Sequence, residues 1–266
     1  MKKNILIGLC LYLIFYSCTQ EQKQTNNATQ TNTKAETNPA AEGFDLANSD
    51  PKAIQIADQV MEALGGRTAW DSTRLIIWNF FGARKLFWDK QSGDVRIEFI
   101  ENDLKIILNE KSMQGKAFKD GKELSEPDSL KKYLEMGKSI WINDSYWLVM
   151  PFKLKDSGLT LKYLREDTTL DGRRAHVLGL TFKEVGDTPQ NKYEVCVDQE
   201  SNLVTQWSYF KEAQQDSANF TLPWLDYKKY GRIMLSGNRD KRQITEIQVL
   251  DSIPPDLFSS FKAVKL

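Results

Sequence analysis

Apolar and polar positions alternate strictly over two neighbouring stretches of this chain. Val95, Ile97 and Phe99 are separated by Arg96 and Glu98, and Leu104, Ile106 and Leu108 resume the period after Asn102-Asp103. A period of two predicts strands with one buried face. Gln91-Ser92-Gly93-Asp94 has the residues of a hairpin turn. Upstream, 74–81 is apolar at nearly every position, Gly82 interrupts it, and 85–89 reads as a returning strand. A shorter strand is expected over 115–119, closed by Asp120-Gly121. Further strands are expected at 160–165, 176–182, 192–198, 203–210, 220–230, 233–235 and 244–250. Such short connections imply antiparallel pairing.

Helical spacing appears in two places. Ile54, Ala57, Val60, Met61 and Leu64 recur every three to four residues. Asp50 is placed to cap this helix, Pro51 suits its first turn, and Gly65-Gly66 stops it. Glu126-Pro127-Asp128 opens a second helix with apolar positions Leu130, Tyr133, Leu134 and Trp141. The following run, 139–152, is dense in large apolar residues with neither a clean helical nor a clean strand period. Pro254-Pro255-Asp256 begins a terminal helical turn with Leu257, Phe258 and Phe261. The expected class is mainly β (α+β), with about ten strands in a single large sheet and one domain over 50–266.

The N-terminus carries a different pattern. Lys2 and Lys3 precede an unbroken apolar run from Ile5 to Tyr16, and Ser17-Cys18 ends it. The run is shorter than the ~20 apolar residues of a spanning helix and has the layout of a signal peptide, residues 1–17. Ser17-Cys18 resembles the lipobox of bacterial lipoproteins, which implies cleavage before Cys18 and acylation of its thiol and new amino group. That resemblance places the mature chain on a membrane through its acylated N-terminus, in the bacterial cell envelope, at the periplasmic side of the outer membrane. Residues 18–49 are rich in Thr, Gln, Asn, Ala and Glu and read as a flexible tether.

Basic and acidic residues number 36 each, and loss of Lys2 and Lys3 leaves 34 against 36. A slightly acidic chain is a poor nucleic-acid binder, so no nucleic-acid partner is expected. Cys10 leaves with the signal and Cys18 is acylated on this reading, so Cys196 is left without a disulfide partner and reads as buried and inert.

The order of exported lipidation, N-terminal helix, meander, helical insert and further meander resembles the LolA/LolB/LppX-like lipoprotein family. The opening 57–66 and the close Ile253-Pro254-Pro255-Asp256-Leu257-Phe258 are similar to that family's ends. The stretch 141–148 is similar to uncharacterised exported lipoproteins of this fold. The resemblance implies a large antiparallel meander curled into an open, incomplete barrel, covered by the N-terminal helix and the mid-chain insert, around an apolar cavity.

Catalytic chemistry is thinly supplied. His176 is the sole histidine, with no serine or cysteine elbow beside it, so a catalytic triad or a histidine-rich zinc site lacks material. The acidic turns 198–202 and 238–240 lack calcium-loop spacing. Glu166 with Asp167, or Asp226, could serve a glycosidase, although a solvated sheet edge explains them as well. Gly65-Gly66-Arg67-Thr68 is no phosphate loop. No cofactor or metal is expected, and the chain does not read as an enzyme.

Apolar surplus is the remaining signal. In 75–81 Leu75, Ile77 and Phe81 fall on one strand face and Ile76, Trp78 and Phe80 on the other. Either both faces are packed, by helices on one side and a loop on the other, or one lines a greasy cavity. On the second reading Trp78, Phe80, Phe87, Trp141, Trp147, Phe152 and Trp207 bind a lipid or the acyl chains of a lipoprotein, and 141–152 is the lid. The competing readings are a scaffold lipoprotein that binds an envelope protein partner, its barrel filled by its own side chains, and a hydrolase with a carboxylate site.

Overall fold

The computed structural model describes residues 37–264. Cys18 and the signal run lie outside these residues, as does most of the expected tether.

The meander forms as the alternation predicts. Strands β1 (Leu75–Phe80), β2 (Arg84–Asp89), β3 (Asp94–Phe99), β4 (Lys105–Asn109), β5 (Gly115–Lys119) and the two-residue β6 (Lys122–Glu123) pair in succession, all antiparallel. Asp89 shapes the β2–β3 turn by accepting the backbone N–H groups of Gln91 and Ser92. Helix α1 (Pro51–Ala63) precedes the meander, followed by a short α2 (Arg67–Ser72) that the pattern did not announce. Asp50 sits at the N-cap of α1, but its carboxylate does not cap. It accepts Lys162 Nζ and the Tyr163 N–H instead, both at 3.0 Å.

The second half contains α3 (Pro127–Val149), then β7 (Leu159–Thr168), β8 (Arg174–Phe182), β9 (Lys192–Asp198), β10 (Val204–Phe210), β11 (Phe220–Pro223), β12 (Leu225–Tyr230), β13 (Ile233–Arg239) and β14 (Arg242–Leu250). The expected single sheet is in fact two. One has nine strands in the order β12-β13-β14-β1-β2-β3-β4-β5-β6, and the other five in the order β11-β10-β9-β8-β7. The run expected as one strand over 220–230 divides between them at Pro223-Trp224. Pro223 has no N–H to give a ladder. The Trp224 N–H goes to Thr205 O at 2.8 Å, and its indole is fully buried. Neither sheet closes on itself, so the class is mainly β, antiparallel and open, with helices α1 and α3 contributing to the core.

Both faces of β1 are packed. Ile76, Trp78 and Phe80 join the main core with α1 and α3. Leu75 and Ile77 join Phe87 and Leu257 in a separate cluster, with Ile253, Phe258 and Val264 packed against it. Phe81 leaves the strand at φ +54° and packs on the main core, not with Leu75 and Ile77. The C-terminal segment thus supplies the second cover. Its backbone forms hydrogen-bonded turns and not the expected helical turn. Arg96, almost fully buried, holds it by donating to Leu257 O at 2.9 Å, Ser260 O at 2.6 Å and Lys262 O at 2.7 Å.

Residues 37–49, expected as the end of the tether, lie against the fold. Asn38 and Phe44 are buried, and Asn38 donates to Asp58 at 2.8 Å. The Asp45 and Asp50 N–H groups reach Leu159 O and Leu161 O, and Ser49 Oγ accepts the Leu161 N–H. These bonds cover the start of edge strand β7, whose backbone would otherwise be unpaired on that side.

Candidate functional site: a cleft beside the mid-chain helix

Helix α3 is long because nothing in 127–149 breaks it. Glu126 caps it by accepting the Asp128 and Ser129 N–H groups at 3.0 and 2.6 Å. Gly137 lets it lie close to β4, since a Cβ there would stand 3.0 Å from Ile106 and 3.1 Å from Leu108. Two arginines of the nine-stranded sheet hold its far half. Arg84 grips the fully buried Asp144 bidentately at 2.6 and 2.8 Å, and Arg239 donates to Trp147 O at 2.9 Å. The expected lid, 141–152, is therefore a fixed wall: the end of α3 followed by a 3-10 turn, Met150–Lys153.

One stripe of that wall faces open space. Ser139, Ile142, Asn143, Tyr146 and Trp147 follow helical spacing and line a cleft with Phe182, Tyr193 and the β8–β9 loop residues Val185, Gly186, Asp187 and Thr188. This part has a volume of about 390 Å3. An adjoining lobe of about 540 Å3 shares Ile142, Tyr146, Phe182, Val185 and Gly186, and adds Trp141, Ser145, Leu159, Lys153, Asp156, Ser157 and Glu110. Both volumes lie in the ~300–1,000 Å3 range of small-molecule sites. Ser139 Oγ donates to the Asp187 carboxylate and ties helix to loop at the rim. Gly186 in that loop has φ +70°, a conformation that side chains rarely adopt.

The inner wall is aromatic. Tyr146 packs on Tyr193 and Phe182, with centroids 5.5 and 6.3 Å apart. Trp147 meets Trp207 edge-on at 4.7 Å, and Tyr193 stacks on Trp207 at 5.2 Å. Trp141 Nε1 and Tyr146 Oη are buried behind this wall without a protein partner, as are the indole nitrogens of Trp78, Trp88, Trp207 and Trp224 in the core. Leaving a buried donor unpaired costs about 1–3 kcal/mol. Burial, with smaller contributions from Tyr193 and Asp156, raises the Tyr146 phenol well above the usual tyrosine value. Burial likewise pushes Tyr193 up to about 12. Both phenols stay protonated at neutral pH. The charged lining is acidic on balance: Glu110, Asp156 and Asp187 against Lys153, which is itself paired with Asp156.

Of the seven aromatic residues expected to bind a ligand, Trp141 and Trp147 line the cleft. Trp207 stands behind Trp147, and Phe80 contacts it edge-on at 6.3 Å. Trp78 is fully buried in the core, and Phe152 stacks on Trp70 at 4.3 Å. Phe87 is on the opposite sheet face, under the C-terminal segment. Ile142 and Tyr146 fall within the expected lid but not among the expected ligand-binding residues; Leu159, Phe182, Val185 and Tyr193 were not anticipated. Val185 gave the one local hint, an apolar residue inside a polar loop.

The catalytic candidates are dispersed. His176 Nδ1 lies 3.4 Å from Tyr163 Oη and from Gln199 Nε2, without a serine or cysteine nucleophile among these neighbours. Glu166 pairs with Arg174, Asp167 with Arg165 and Asp226 with Lys228. Asp198 accepts Ser201 N–H and Oγ, and Asn238 accepts Asp240 N–H, as ordinary turns do. Among the described residues no group of three or more His, Cys, Asp or Glu could hold a metal, and no helix is long and apolar enough to cross a membrane.

No protein-family model matches this chain, and no curated protein matches it. Among solved structures it is similar to a DUF1329 family protein from Desulfovibrio piger, at 13% identity over 79% of this chain and 98% of that one, with a TM-score of 0.44. It is also similar to a LolA superfamily protein from Nitrosomonas europaea, at 10% identity over 77% and 97% of the two chains, with a TM-score of 0.37. Both overlaps are loose, and the architecture and the cleft stand on this chain's own strand pairing and side chains.

Proposed function

We propose that this is a membrane-anchored envelope lipoprotein that binds a hydrophobic ligand, a lipid or an acyl chain, in the cleft beside α3. The observation that carries the reading is the cleft itself, walled by Trp141, Ile142, Tyr146, Trp147, Leu159, Phe182 and Val185. Burial of such a lining yields ~25 cal/mol per Å2, which an apolar ligand supplies without covalent chemistry. Acylation at Cys18 would keep the cleft at a membrane surface, the source of such ligands, with residues 19–36 as tether.

Purified protein tests this directly. Solvent extraction and mass spectrometry are expected to recover a reproducible lipid, and the delipidated protein is expected to bind the neutral fluorophore N-phenyl-1-naphthylamine saturably. No extracted lipid together with no saturable fluorescence would end the ligand reading. Labelling with a fatty-acid probe, lost in Cys18→Ala, tests the anchor separately.

One observation favours a second reading, a scaffold lipoprotein. The main core is filled by its own large side chains, with Trp78, Trp207 and Trp224 almost wholly buried. The cleft is therefore a flank site and not a barrel lumen. Protein that neither carries lipid nor binds the fluorophore is the result the scaffold reading expects.

A further inference from the structure

The C-terminal segment is held to the sheet by its carbonyl oxygens. Arg96 donates to those of Leu257, Ser260 and Lys262, Lys116 to that of Ser259, and Lys105 to that of Phe261 at 3.4 Å. No strand ladder takes part. The N–H groups of Leu257, Ser259, Ser260 and Lys262 bond to acceptors within 254–260. Leu257, Phe258 and Val264 add apolar contact, and the Phe261 ring meets Phe118 at 5.4 Å. All these contacts join 257–264 to the sheet and none uses the connection before it. Any copy of the segment satisfies them, whichever chain carries it.

Strain is concentrated in that connection. Pro254-Pro255 favours extended polyproline backbone. The chain bends there all the same. Pro254 O accepts the Leu257 N–H at 3.3 Å, closing a turn with Pro255 and Asp256 at its centre. Asp256 has φ +60°, and a positive φ at the third position of a turn suits Gly or Asn. A cavity of about 270 Å3 lies beside the bend, lined by Arg96, Pro255, Asp256, Leu257 and Lys262, so little packing holds it down.

Simple release of the segment is unfavourable. It would return Leu75, Ile77 and Phe87 to water and strip Arg96, 1% exposed, of three acceptors. Seating the segment of a second copy restores every one of these contacts and lets the turn at Asp256 straighten. We propose that residues 257–264 exchange between two copies of this chain, each laying its segment across β1–β5 of the other. Such exchange is a low-cost route to a dimer. The connection 251–256, extended, spans at most about 20 Å from one body to the other. The exchanged face is opposite the one that packs on α3, so the inference does not depend on the ligand reading.

A chain carrying Phe118→Cys and Phe261→Cys in a Cys10→Ala, Cys18→Ala background tests this, since Cys196 is buried. A short bismaleimide then joins the segment to the sheet it covers, within one chain or between two. Links between chains are expected, in a share that rises with protein concentration. Phe118→Cys alone and Phe261→Cys alone should give none. The hinge should move the balance in both directions. Asp256→Gly relieves the bent form and is expected to lower the between-chain share about fivefold, and Asp256→Val, which resists positive φ, to raise it about fivefold. Within-chain links alone at every concentration, in the parent hinge and in Asp256→Val alike, would overturn the exchange. Between-chain links that ignore both Asp256 substitutions would overturn the hinge as their cause, and equal linking in the single-cysteine chains would mark plain aggregation and overturn it too.

Discussion

Cys196 shows how a single side chain takes its chemistry from its surroundings. It lies on β9 at 6% exposure, beside Ala175 and Val177, away from the main core. Burial pushes its thiol up to about 11, with Asp167 adding to the rise. Thiolate is the reactive form, so at pH 8 it is scarce as well as shielded. Native protein carrying Cys10→Ala and Cys18→Ala should react with a thiol-specific disulfide reagent at least a hundredfold more slowly than the same protein in denaturant. Comparable rates would refute the buried placement. Burial of this residue was legible in the sequence, because a cysteine within a strand pattern is usually packed. The partners of Asp50 were not legible. Its position at a helix start predicts a cap, but Lys162 and the Tyr163 N–H, far along the chain, compete for the same carboxylate and win.

At the scale of elements, α3 makes the cleft by where it is held. The Arg84–Asp144 pair fixes it to β2, with Asp144 fully buried and Arg84 at 20% exposure. Removing only the guanidinium strands a buried carboxylate. Arg84→Ala should therefore cost about 3 kcal/mol in urea unfolding, and Arg84→Leu with Asp144→Leu should recover much of it. The pH dependence has a definite sign. Burial raises the Asp144 carboxyl above its usual 3.8, opposed by Arg84, and losing Arg84 enlarges the rise. A raised carboxyl binds its proton more tightly in the folded state. The Arg84→Ala deficit should then shrink below pH 3.8 and grow as the pH climbs through the folded-state value. A deficit independent of pH would show that the ion pair does not anchor the helix. Alternation, turn residues and the Glu126 cap exposed most strands, helix α1 and the first half of α3 to sequence reasoning. The stripe on α3 stayed hidden because Ser139 and Asn143 share it with Ile142, Tyr146 and Trp147, which blurs the apolar period.

At the scale of the whole molecule, the chain passes from one sheet to the other at Trp224. Its ring meets Trp207 of the five-stranded sheet at 5.7 Å, and Arg239 of the nine-stranded sheet stacks 3.4 Å above it. Truncating it removes packing that belongs to both sheets. Trp224→Ala should cost about 3–5 kcal/mol and lower Tm by roughly 10 °C, with near- and far-ultraviolet dichroism still falling together. Two resolved calorimetric transitions would show that the sheets unfold independently and refute the single-domain proposal for 50–266.

The chain's own order determined most of the strands, helix α1 and the start of α3, the antiparallel class and the apolar excess on β1, since period and turn chemistry act over a few residues. Tertiary structure alone decided what the excess is for. Leu75, Ile77 and Phe87 are covered by a segment about 170–180 residues later, while Ile142, Leu159 and Val185 line an open cleft. Which apolar face meets a partner and which meets a void depends on where distant elements come to rest, and no local pattern carries that information.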